Sequence, residues 1–199
     1  MIVSNTIRSK VLIVTLCLIV AAFAGGFTYA MFTDKAVFNG ALISVGSADL
    51  KLYSDLSKSA NDPGNLVDSL PSPQLLEVTP SFTQDYLVKI YNNSSKPFVL
   101  TSNANYTTAE DPDDLRRYIN VEIINWNDNN TNGTLEGDEL GDSLGKQNII
   151  DWKSNGFSLN DIESKTSRSL ILRFTAEDIP DTKMGKTGLF SFDFSSYGQ

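Results

Sequence analysis

The sequence predicts an all-β protein, an antiparallel jelly-roll or β-sandwich domain with one short helical insertion. Two observations lead there. Five separate windows alternate apolar and polar residues with a period of two, the mark of a strand with one buried face, and they are rich in β-branched and aromatic side chains. The stretches between them carry Gly, Pro, Asn and Asp turn signals rather than long helical patterns, which excludes the strand–helix alternation of a parallel sheet.

Residues 1–30 read as a secretory signal peptide. Arg8 and Lys10 form a short basic region, Val11 to Ala24 is an uncharged run that is apolar except for Thr15, Gly25-Gly26 breaks it, and Thr28 and Ala30 are small enough for signal-peptidase subsites. The run is short for a membrane span of about 20 residues, although counting through Phe32 just reaches that length and makes an uncleaved anchor the alternative. Cleavage after Ala30 leaves 31–199 as a single domain, and the membrane is then met only through the N-terminal segment before cleavage.

Within 31–199, a first strand is expected at 36–45. Leu50 and Leu52 alternate with Asp49 and Lys51 in the next. Residues 54–73 are rich in Ser, Asp, Asn, Pro and Gly and predict a long surface loop. Tyr86, Val88 and Ile90 then alternate with Asp85 and Lys89, and a further strand is expected at 96–103. Asp111-Pro112 is a cap followed by proline at a first helical position, Asp113 and Asp114 load the first turn with negative charge, and Leu115 to Tyr118 complete the helical insertion. Ile119, Val121 and Ile123, then Leu170, Leu172 and Phe174, then Phe190, Phe192 and Phe194 mark the remaining strands, about seven in all.

Composition narrows the chemistry. The 199 residues include no histidine and one cysteine, Cys17, inside the apolar run. A histidine-based triad, an HExxH zinc site and a CxxC redox pair are therefore excluded. Sixteen Lys+Arg against 24 Asp+Glu give a net charge of −8, which argues against a nucleic-acid partner. Any bound metal must be a hard, oxygen-liking ion. Ser-Lys and paired-carboxylate chemistry have the residues they need, but no motif singles out a pair, and the chain is not expected to be an enzyme.

One loop carries metal-ligand spacing. Residues 128–139 match the twelve-residue EF-hand loop at each diagnostic place. Asp128, Asn130 and Asn132 stand first, third and fifth. Gly133 is sixth, where a positive φ lets the chain fold around an ion. Thr134 is seventh and offers its carbonyl, Leu135 is the apolar eighth, Glu136 is ninth and can bind through water, and Glu139 is a bidentate twelfth. Calcium takes six to eight oxygens, which one tight loop can largely supply. The competing account is an Asn-rich hairpin turn held by Asx hydrogen bonds. Ile119 to Trp126 reads as a strand, and Gly137 and Gly141 disfavour a following helix, so the expectation is a calcium loop on a β scaffold. Its few charged ligands suit millimolar extracellular calcium.

The segment Gly25-Gly26-Phe27-Thr28-Tyr29-Ala30-Met31-Phe32-Thr33-Asp34 resembles the processing site of the TasA/camelysin family. Phe38-Asn39-Gly40-Ala41 and Gly46-Ser47-Ala48-Asp49-Leu50-Lys51-Leu52 are similar to that family's first strands. Val78-Thr79-Pro80 with Tyr86 to Asn93, and the closing Phe190 to Phe194, resemble its later motifs; the middle of the chain does not. The resemblance implies a jelly roll, secretion to the cell surface or biofilm matrix, and self-association into filaments in which the mature N-terminal segment adds as a strand to the next subunit. Residues 31–39 are the candidate donor, and a first strand within its own domain is the alternative. The metalloprotease activity ascribed to some members finds no support in a chain without histidine. The rival reading is a calcium-dependent adhesion or ligand-binding module on the cell surface, which would use exposed aromatics such as Trp126 and Trp152 beside the ion, although both equally fit a core.

Overall fold

The apolar faces marked by alternation meet between two sheets. The structure, a computed structural model, describes residues 41–46 and 49–197. The described residues all belong to one compact unit, Gly40–Gln199. The signal peptide, the donor segment 31–39 and the start of the strand expected at 36–45 lie outside them.

The strands in chain order are β1 (Leu42–Val45), β2 (Leu50–Tyr53), β3 (Leu66–Val67), β4 (Ser69–Pro71), β5 (Gln74–Val78), β6 (Thr83–Asn92) and β7 (Phe98–Asn105). After them come β8 (Ile119–Trp126), β9 (Leu140–Asn148), helix α1 (Ile149–Asn155), β10 (Phe157–Ile162), β11 (Ser167–Ala176), β12 (Lys186–Leu189) and β13 (Ser191–Tyr197). One sheet has the order β10-β7-β13-β1-β4, the other β3-β2-β6-β11-β8-β9, and β12 pairs with β5 alone. Every described pair is antiparallel except β1 with β13.

Leu50, Leu52, Val88, Ile90, Leu170 and Leu172 from the second sheet and Ile43, Leu100, Phe192 and Phe194 from the first form one solvent-free core. Phe174 meets Phe192 edge-on at 5.6 Å across the sandwich. The other face of the second sheet is only partly covered. There Ile124, Trp126 and Ile171 make a small apolar cluster beneath Leu56 and Leu135, each from a loop laid over the sheet.

At one end the first sheet forks. Ile43 pairs with Phe192 of β13 and with Leu70 of β4, and the Ser72 amide donates to the Ala41 carbonyl at 3.1 Å. Immediately beyond, β1 ends its lane between its neighbours: Gln74 pairs with Leu189 and Leu75 with Gly188, so β5 and β12 close directly on each other.

Several expectations change. The acidic stretch at 111–118 holds a single 3₁₀ turn, Leu115–Arg117, not an α-helix. Asp111 still acts as its cap, accepting from the Leu115 amide at 2.7 Å and the Arg116 amide at 3.1 Å, but Asp114 stands at φ 63° and breaks the helical path before it can begin. The α-helix is instead α1, capped by Asn148, whose Oδ1 accepts from the Asp151 amide at 2.8 Å, and closed by Gly156. No helix is expected there from the sequence, since β-branched Ile149 and Ile150 favour strand. The 54–73 loop ends at Asn65, and short β3 and β4 follow. Thirteen strands are described rather than about seven, because the additional ones are short, edge-lying or polar.

Candidate metal centre

The 128–139 loop turns β8 into β9 on the partly covered face of the second sheet. The Asn127 amide donates to the Glu139 carbonyl at 2.9 Å and closes its neck. Gly133 takes φ +73°, as the sixth loop place requires, and lies so close to the 54–65 loop that a Cβ there would stand 2.6 Å from the Ser57 nitrogen. Leu135 packs on the Ile124–Trp126–Ile171 cluster.

The six candidate residues divide into a tip and a base. At the tip, Asn130, Asn132, Thr134 and Glu136 are all exposed. The Asn130 Oδ1 accepts from the Asn132 amide at 3.0 Å and the Asn132 Oδ1 from the Thr134 amide at 2.7 Å, two successive Asx turns. Both side-chain amides donate to the Glu136 carboxylate, at 3.3 and 2.9 Å. Each amide oxygen retains a second lone pair, so these turns leave it able to bind an ion.

The base is buried. Asp128 has a side chain 2% exposed, and Glu139 is 2% exposed overall. The Glu139 Oε2 accepts from the Trp126 indole at 3.1 Å and the Glu136 amide at 3.2 Å. The Asp128 Oδ2 accepts from Lys89 at 2.7 Å. Asp128 Oδ1 and Glu139 Oε1 are buried without a hydrogen-bond partner. A buried carboxylate oxygen without a partner is costly, and a cation is one group that removes the cost.

The donor set fits a hard cation in kind: carboxylates Asp128, Glu136 and Glu139, amides Asn130 and Asn132, and the Thr134 carbonyl. Among the described residues, no three His, Cys, Asp or Glu side chains gather into a metal-holding group by themselves. Amide and backbone oxygens must therefore contribute, and Glu136 must exchange its bonds to the two asparagines. When bound, calcium would supply positive charge that fastens tip to base. Trp126 and Trp152 are buried, at 4% and 0% exposure, with their indoles donating to Glu139 and to Ser102, so neither is an exposed binding aromatic. Lys89 does not face open solvent: loop packing covers it.

Lys89 is the participant that alternation alone could not reveal, because its signal was the strand position, which the covering loops then buried. Its neighbour Tyr53 has its phenol pushed up by burial, with a Ser167 hydrogen bond opposing. A cavity of about 680 Å³ opens here, lined by Tyr53, Ser57, Lys89, Tyr91 and Ser167 among others. A second of similar volume lies across the loop neck, beside Trp126, Asp128, Leu140 and Arg168. Burial lowers the Arg168 guanidinium from its usual range while it donates to Asn125 at 3.1 Å. No family model, no curated protein and no solved structure matches this chain.

Proposed function

We propose that the chain is an exported structural protein that polymerises into extracellular fibres of a cell surface or biofilm matrix, each subunit donating residues 31–39 as a strand to the next and using calcium to brace its 128–139 loop. The observation that carries this reading is the fork in the first sheet. Beyond Ala41 the lane that a longer β1 would occupy is filled by the direct pairing of β5 with β12. An apolar, strand-forming segment ahead of Ala41 has no place between those two strands, and an apolar strand without a sheet gains by joining another edge. The signal-peptide layout supports export, and the absence of histidine supports a structural rather than a catalytic role.

Deleting residues 31–39 from the processed chain tests the reading. The expected result is a folded sandwich, with unchanged far-ultraviolet β signal, that no longer forms filaments. Filaments of normal appearance from the truncated chain would rule out donation by this segment. Loss of the fold would make the segment an internal strand.

The two cavities flanking the loop favour a second reading, a calcium-dependent adhesion or ligand-binding module. With both tryptophans buried, such a module would bind through Tyr53, Tyr91 and the cavity hydroxyls. A processed chain that stays monomeric while its melting temperature rises with an added saccharide would favour it.

A further inference from the structure

We infer that Lys89 is the resident counter-cation of the 128–139 site, and that calcium binds by exchanging with its ammonium group rather than by entering beside it. This rests on the calcium reading above and adds a competitor from the chain itself.

Lys89 lies in β6 between the core residues Val88 and Ile90, so its side chain leaves the opposite face of the sheet, toward the loop. Its ammonium is fully engaged. It stands 2.7 Å from Asp128 Oδ2, donates to the Leu56 carbonyl at 3.1 Å, and lies 5.5 Å from the Tyr53 ring centre and 5.4 Å from that of Trp126. The Asp128 and Lys89 side chains are 2% and 9% exposed.

Charge balance decides between exchange and addition. The buried base holds two carboxylates, Asp128 and Glu139, and one ammonium. Among the described residues Glu139 has no ion-pair partner within 4.0 Å, and one oxygen of each carboxylate is unpartnered. One negative charge is thus left over in the buried base; Glu136 lies exposed at the tip and binds through water, so solvent screens its charge and it stays outside this buried balance. A divalent ion added with Lys89 in place would convert that deficit into an excess of one positive charge, with two cations competing for one carboxylate in a water-poor site. The same ion with Lys89 withdrawn balances the two carboxylates. Burying uncompensated charge is the costlier arrangement, so ion and ammonium exclude each other.

The withdrawn side chain has somewhere to go. Lys89 already lines the cavity of about 680 Å³ with Tyr53, Tyr91 and Ser167. Swinging toward that space takes the ammonium into water while keeping it near the Tyr53 ring. The exchange lowers the calcium affinity of the loop below what its oxygens alone would give. Binding is thereby set to the higher calcium levels outside a cell.

Two measurements on the full processed chain test this. Calorimetric calcium titration of Lys89→Gln should give a Kd about tenfold or more tighter than wild type, the scale on which close charge pairs are coupled. Amine-reactive labelling of the wild type, read by mass spectrometry, should find Lys89 protected without calcium and reactive with it, while exposed Lys96 reacts equally in both. The labelling needs no variant, so a poorly folded Lys89→Gln leaves the inference testable. A wild-type Kd in Lys89→Gln, or Lys89 labelling unmoved by saturating calcium that demonstrably binds, overturns the exchange. Absence of calcium heat in both proteins overturns the calcium reading itself, and the exchange with it.

Discussion

Gly133 shows how much one residue can hold. It combines a positive φ with a backbone approach that leaves no room for a Cβ, its nearest obstacles being Ser57 N at 2.6 Å and the Leu56 carbonyl carbon at 2.7 Å. Neither is a flexible side-chain end, so two loops would have to part. Gly133→Ala is expected to destabilise by about 1–3 kcal/mol, the cost of a strained backbone position, with a matching fall in urea midpoint. Asp55 anchors the other of those loops. The Ser57 hydroxyl first, then the Lys58 ammonium and the Ser57 amide, lower its carboxyl to about 2. A carboxylate whose folded pKa is depressed contributes stability above its unfolded pKa, and that contribution disappears as pH falls through the folded one. An NMR titration should therefore place the Asp55 midpoint near 2, and Ser57→Ala should move it back toward 3.8. A wild-type midpoint at the ordinary value would mean that this turn is open in solution.

At the scale of elements, helix α1 shows local signals deciding against propensity. Ile149 and Ile150 favour strand, yet Asn148 caps the first turn and Gly156 closes the last, while Ile149 and Trp152 bury the inner face. Asn148→Ala should cost about 1 kcal/mol, read as a lower melting temperature, because the Asp151 amide loses its acceptor. The long strands β6, β8, β11 and β13 were legible because each has one face in the core, and burial imposes the period of two. Edge strands such as β9 were not, since its mixed exposure and two register shifts against β8 erase any alternation. The same logic divides the candidate site. The spacing of Asp128, Gly133 and Glu139 was readable because local chain geometry dictates it. Lys89 joins from a strand 39 positions away, and no local pattern encodes that meeting.

For the whole molecule, the main consequence is the way β1 sits in its sheet. It runs parallel to β13 and antiparallel to β4 over three residue pairs each, and the strands on either side then join. The described edge strands are short (β3), bulged (β9 and β10) or ended by proline (β4). Such edges resist indiscriminate pairing. In the proposed fibre, the chain ahead of Ala41 serves a neighbour. Negative-stain electron microscopy of purified residues 31–199 in millimolar calcium tests it most directly. Filaments of regularly repeating subunits are expected; a population that remains monomeric at every concentration would rule strand donation out.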